Sequence, residues 1–299
     1  MKQFNKLKTR FSTGLVKILA VILPAAILLC AEKSGAQSQW LDHGNGNSIS
    51  LEVYKPFIPQ DSVFDEVTPA YKPFSVAFFL TGRYNLNKNF TLVAEIPFAR
   101  GETDDTTALP EDNGAEIGNP YIGAEYRLPD SPLKFELGFR LPLTPKDHIH
   151  AALVGVRSDI DRLEAFVYDL VPVNMAVSFE TVNESNILFK ARLGGNLWFI
   201  ENPDRTLIDN KTQFGVEYTL QTGYIHKHVN LIFGLSGRYH LESGPKVQDK
   251  PTVLQYGLLV TVPYKNIRPG ISIKVPGNDR TGELFNYILG LNFTYTFDK

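Results

Sequence analysis

Fifteen charged residues carry what chemistry this sequence can do: Glu52, Arg83, Glu95, Glu125, Arg127, Lys134, Glu136, Arg140, Glu180, Lys190, Arg192, Glu217, Arg238, Arg268 and Lys274. All fall on one face of segments in which large apolar and small polar residues alternate. Nine basic and six acidic groups on one surface could line a water-filled pore and tune its selectivity. They could equally pair across a narrow lumen and plug it. Both readings stay open at this point. Catalysis fits less well. The histidine pairs His148/His150 in DHIH and His226/His228 in HKH belong to connections at opposite ends of the strands, so they cannot share a metal ion. GLSG around Ser236 lacks the nucleophile-elbow spacing and lies mid-strand. Glu102, Asp104, Asp105, Glu111, Asp112 and Glu116 are scattered through one acidic stretch without calcium-loop spacing, and they read as a solvated loop. With no ordered His-Ser-acid set and no phosphate loop, no enzyme, cofactor or metal centre is expected.

The elements that must position the fifteen charges are strands. LKFELGFRLPL sets Leu133, Phe135, Leu137, Phe139, Leu141 and Leu143 against Lys134, Glu136, Gly138, Arg140 and Pro142. YILGLNFTYTF does the same with Tyr287, Leu289, Leu291, Phe293, Tyr295 and Phe297. Twelve such segments are expected, near 48–54, 74–85, 89–99, 120–128, 133–143, 171–181, 187–199, 211–224, 228–241, 253–264, 267–276 and 284–297. Their connections alternate short and long. LNKN, PDSP, NES, HKH and KN are short, whereas 55–73, 100–119, 144–170, 200–210, 242–252 and 277–283 are longer. Lipid offers nothing to backbone N–H and C=O groups, so a sheet in a membrane must close on itself. The pattern therefore predicts an all-β, up-and-down antiparallel transmembrane barrel of about twelve strands, with tight periplasmic turns and longer extracellular loops. Tyr84, Phe90, Tyr126, Tyr224, Tyr264 and Phe297 stand at the periplasmic strand ends, where an aromatic girdle belongs.

The first 36 residues read as a cleaved signal peptide. Lys2, Lys6, Lys8, Arg10 and Lys17 precede the apolar run Ile18–Cys30, and Ser34 and Ala36 offer a small-x-small cleavage site. The alternative, Cys30 as a lipidated residue, is disfavoured by the bulky Leu29. Residues 37–299 then form the barrel. Without the leader's six Lys/Arg and one Glu, the totals of 30 and 32 fall to 24 and 31, a formal charge of −7. That balance excludes nucleic acid as an expected partner. QSQWLDHGNGN is too short to be a plug domain of an energy-coupled receptor.

Two features bear on the lumen. A twelve-strand barrel is only ~24 Å across between backbones, which Arg and Glu side chains can largely bridge. The longest connection, TPKDHIHAALVGVRSDIDRLEAFVYDL, is unusually apolar, with Ala152, Val156, Ile160 and Leu163 near helical spacing. It predicts either a lid or inward constriction, or a strand extension standing above the membrane.

LVAEIPFARGE, followed by GAEIGNPYIGAEYRLPDSPLKFELGFRLPL, resembles the bacterial outer-membrane family labelled MetA-pathway of phenol degradation. Pro97, Phe98, Gly118, Pro120, Gly123 and Tyr126 carry the likeness, and Asn119 stands where that family usually shows Asp. The resemblance implies a barrel that passes small, often hydrophobic molecules. Gly290, Phe293, Tyr295 and Phe297 resemble the C-terminal signal by which such barrels are recognised for assembly; Asp298 and Lys299 extend beyond it. The expectation is a passive outer-membrane channel for small solutes, hydrophobic or aromatic ones among them, in a Gram-negative bacterium. Its partners would be outer-membrane lipids, lipopolysaccharide and the barrel-assembly machinery. The alternative is a non-transporting barrel with a structural or surface-interaction role.

Overall fold

The computed structural model describes residues 39–43, 46–59, 71–103, 113–145, 147–200, 212–240 and 252–297. The leader, Cys30, the cleavage point after Ala36, most of the acidic stretch, and Asp298 and Lys299 lie outside them. Alternation becomes strand in all twelve expected segments, and one further short strand, β4, forms inside the connection expected at 100–119: β1 (Asn47–Phe57), β2 (Val76–Asn85), β3 (Phe90–Gly101), β4 (Gly114–Ile117), β5 (Tyr121–Arg127), β6 (Leu133–Arg140), β7 (Leu170–Val182), β8 (Ile187–Ile200), β9 (Thr212–Ile225), β10 (Asn230–His240), β11 (Thr252–Thr261), β12 (Ile267–Pro276) and β13 (Tyr287–Phe297).

Apart from β4 and β5, each strand pairs antiparallel with its sequence neighbours, and β1 pairs with β13 from Asn47↔Phe297 to Phe57↔Tyr287, which closes the sheet. β4 and β5 share one place in the ring. Both pair with β3, β4 at Phe98–Gly101 and β5 at Phe90–Glu95, so the barrel has twelve strand positions. The break between them is Gly118-Asn119-Pro120, where proline removes a ladder donor.

One face of each strand is outward and apolar. Leu291, Ile271, Met175 and Leu193 are more than half exposed on it. On the inward face lie Ser50, Gln255, Asn292 and Thr294, all buried. Among the described residues two charges depart from this division, Lys55 on β1 and Arg100 on β3. Both point outward, but only at the extracellular rim. Lys55 Nζ reaches the carbonyl of Lys72 at 2.9 Å, and Arg100 pairs with Glu102, so each long side chain takes its head out of the apolar zone. The short turns use side chains that mimic backbone. Asn87 Oδ1 accepts from the N–H groups of Asn89 and Phe90, and Asn183 Oδ1 accepts from those of Ser185 and Ile187.

The long connection between β6 and β7 folds into the barrel, which overturns the strand-extension alternative. It forms helix α1 (Ile149–Ser158) and a 3-10 turn, Ile160–Phe166, with a kink at Arg162. Ile160 and Phe166 join Tyr54, Phe79, Ala99 and Phe285 in an apolar cluster inside the barrel, and Val156 packs against it. Leu163 packs on a second cluster of Leu170, Trp198 and Ile200. From the other end, residues 39–43 enter the lumen, and Trp40 lies against Gly257 with almost no exposure.

Candidate functional site: the occupied lumen

The fifteen inward charges divide into three groups by height. The middle of the barrel holds Glu52, Glu95, Arg140, Arg238 and Lys274, and all five meet the inward segment. Arg162 is their centre. Its Nη1 donates to Glu52 Oε1 at 2.8 Å and Glu95 Oε2 at 2.7 Å, and its Nε donates to Asp159 Oδ2 at 2.8 Å. The guanidinium also stacks 3.8 Å from the Phe79 ring centroid. Asp159 is answered a second time, by Lys274 Nζ at 2.9 Å. Glu164 accepts from Arg238 Nη1 at 2.6 Å and lies 3.9 Å from Arg140 Nε. Asp161 Oδ2 accepts from Trp40 Nε1 at 2.8 Å and from Ser236 Oγ and Gln255 Nε2 at 3.0 Å. Carboxylates and bases of the wall thus find their counter-charges on one 3-10 turn. Burial makes each pairing obligatory, because an unanswered charge there is strongly unfavourable.

Asn119, in the break between β4 and β5, fastens the same turn. Its Nδ2 donates to the carbonyls of Glu164 (3.0 Å) and Val167 (2.7 Å), and its Oδ1 accepts from Thr144 N at 2.9 Å. An aspartate has no N–H to give those two carbonyls. The amide is what the position requires.

The second group, Glu136, Arg192 and Glu217, bridges the wall itself. Arg192 Nε donates to Glu136 Oε2 at 2.5 Å, and its Nη1 donates to Glu217 Oε2 at 3.0 Å. The third group comprises Arg83, Glu125, Arg127, Lys134, Glu180, Lys190 and Arg268. Together with Glu136, Arg192 and residues 39 and 41–43, it surrounds a cavity of about 340 Å³ towards the short-turn end. Arg83 pairs with Glu125, and Arg268 Nη1 donates to Asp42 Oδ2 at 2.9 Å.

This is the architecture of an outer-membrane barrel. The chain is similar to the COG4313 outer membrane channel from Pseudomonas putida F1, at 13% identity over 88% of this chain and 100% of that one, with a TM-score of 0.56. It is similar also to the NanC porin, at 8% identity over 84% of this chain and 100% of that one, with a TM-score of 0.50. No known family and no curated protein matches the sequence. At these identities the likeness shows the fold.

The remaining candidates are dispersed. His150 lies edge-on to Tyr71 with ring centroids 5.9 Å apart, and His226 and His228 lie side by side in their turn. Gly290 faces inward against Tyr54, whereas Phe293 and Tyr295 point outward and Tyr295 stacks with Phe297. Sequence reasoning missed Asp159, Asp161, Arg162, Glu164, Trp40 and His43. The available signal was the run RSDIDRLEAF: five charges set among apolar residues in a connection that otherwise read as buried.

Proposed function

We propose that the protein is a passive channel for small solutes in the outer membrane of a Gram-negative bacterium, closed in the conformation described. The observation that supports this reading is the way the lumen is filled. The occupying turn belongs to a loop, joins no strand ladder, and is held to the wall by ion pairs and side-chain hydrogen bonds around Arg162. Such a segment can be displaced without opening the barrel. The inward charges would then serve as the pore lining. The motif around Pro97, Gly118 and Pro120 supports hydrophobic or aromatic molecules among the solutes. The outward aromatics and the two rim cations suit contact with outer-membrane lipid and lipopolysaccharide, and Gly290 to Phe297 would be read by the assembly machinery.

Single-channel recording of the refolded protein in a planar bilayer tests the reading. Ohmic steps, larger and more frequent in Arg162→Met than in the parent, are expected. Silence from both proteins, shown to be inserted, would favour the alternative of a barrel with a structural or surface-interaction role. The tight seating of Ile160 and Phe166 favours that alternative too.

A further inference from the structure

The cavity towards the short-turn end has a lining of two kinds. One is cationic, with Arg83, Lys134 and Lys190 contributed by β2, β6 and β8. The other is apolar, with Leu188 beside Lys190 on β8 and Ile232 on β10. His43 lines the same cavity and feels the charge of all three cations. Both of its ring nitrogens are shut off from solvent, and neither has a hydrogen-bond partner among the described residues. Buried imidazole nitrogens are ordinarily bonded, so the ring holds a donor that no described residue accepts. Burial and the charges of Arg83, Lys134 and Lys190 hold the His43 pKa well below its ordinary value. The ring is therefore neutral, with one N–H to donate in a field of positive sign.

Three of the four lining carboxylates are engaged, and the fourth, Glu180, stands opposite Lys190 in the β7–β8 register. Glu125 is answered by Arg83 and Lys134, Glu136 by Arg192, and Asp42 by Arg268. Six basic and four acidic side chains line the cavity, which leaves the balance positive. A cation would meet repulsion there, and a neutral solute would leave the donors unmet. An anion with an apolar body satisfies both kinds of lining at once. The volume of about 340 Å³ lies within the range of small-molecule pockets.

We propose that this vestibule is a binding site for a small organic carboxylate with an apolar or aromatic body. The site rests on the channel reading in that it names the class of solute, and it holds that solute beneath the turn bearing Arg162. Lys190 and Lys134 receive the carboxylate, His43 donates to it, and Leu188 and Ile232 take the body.

Calorimetric titration of the full chain in detergent, with benzoate as probe and benzamide as its neutral counterpart, tests the site. Benzoate is expected to bind at least about tenfold more tightly than benzamide. Lys190→Met should weaken benzoate by about tenfold, and His43→Ala by several-fold, with benzamide unchanged. Lys134→Gln reads the same interaction should Lys190→Met fail to fold. Equal binding of the two probes, absence of benzoate binding, or indifference to both lysine substitutions would overturn the site. Conductance separates this from the channel reading. Binding with no conductance removes the channel and leaves the site, whereas conductance with no binding does the reverse.

Discussion

The indole Nε1 of Trp40 donates a 2.8 Å hydrogen bond to Asp161 Oδ2 in the middle of the lumen. The two residues enter from opposite ends of the barrel, one ahead of β1 and the other from the connection between β6 and β7. Their contact joins two occupants into one. Trp40→Phe keeps the ring against Gly257 and removes only the donor. The cost should be about 1 kcal/mol, read as a lower urea midpoint, with brief conductance events becoming more frequent. An unchanged midpoint would show that the bond contributes nothing.

Arg162→Met should do far more. It leaves Glu52, Glu95 and Asp159 with fewer counter-charges, and breaking a buried pair costs about 3–5 kcal/mol. Arg162→Lys should recover little, since one ammonium cannot reach three carboxylates in a planar fork. Equilibrium unfolding in detergent measures both. A lysine variant as stable as the parent would contradict the assignment.

At Asn119 the order of two substitutions is the test. Asn119→Ala leaves the carbonyls of Glu164 and Val167 unmet, at about 2 kcal/mol. Asn119→Asp should be worse, because it sets a carboxylate against the same two oxygens. Urea midpoints in the opposite order would refute the hydrogen-bond assignment.

Acid should act on the inward turn, which is not itself a membrane-spanning strand, through two neighbours with opposite signs. Burial, then the charge of Asp159, raises the Asp161 carboxyl above its usual value. A carboxyl raised in the folded state stabilises it below the unfolded value near ~3.9 and loses that contribution as pH climbs through the raised value. Asp159 runs the other way. Burial alone would raise it, but Lys274 and Arg162 overcome burial and hold it well below the usual range. Its contribution is full above ~3.9 and fades as pH falls towards the depressed value. Asp161→Asn removes the first effect and keeps the second. The variant should match or exceed the parent at neutral pH, with the difference shrinking by about pH 4. A less stable variant at neutral pH would contradict this account.

Assembly and packing separate at the seam strand. Phe297→Ser should lower the yield of inserted barrel while leaving the stability of inserted protein nearly unchanged. Gly290→Leu should lower both, because a side chain there collides with Tyr54 and Ser272. Heat-modifiable migration gives the first quantity and urea titration the second. Equal yields for Phe297→Ser and the parent would remove the assembly role.

Twelve of the thirteen strands were legible because period two is written in each of them, and the lipid-facing side tolerates so few exceptions; β4, with four residues, is too short to show a period and lay within the connection expected at 100–119. Lys55 escaped because β1 runs three residues past its last clear alternation, to a rim where a long side chain reaches polar ground. The site was only half legible. Glu52, Glu95 and Lys274 announce themselves by standing on the polar face, but a strand pattern gives no sign of what answers them. Asp159, Asp161 and Arg162 lie in a loop, where charge ordinarily means solvent. Ala152, Val156, Ile160 and Leu163 did carry helical spacing, yet the chain breaks at Asp159, so one apparent helix is two. Trp40 and His43 belong to a stretch too short for any periodicity.

The β1–β13 seam fixes the order of events in time. Ser50 and Thr294 meet hydroxyl to hydroxyl across it at 2.9 Å, 244 residues apart in sequence. Every other strand pair joins neighbours, so those hairpins can form early and locally, while the seam pays the largest loop-closure entropy of all. The inward turn straddles that seam, with Arg162 on Glu52 of β1 and Asp159 on Lys274 of β12. Until the seam zips, half of the turn's counter-charges are absent from one side or the other. Closure of the ring and seating of the turn should therefore be a single, late and slow kinetic phase.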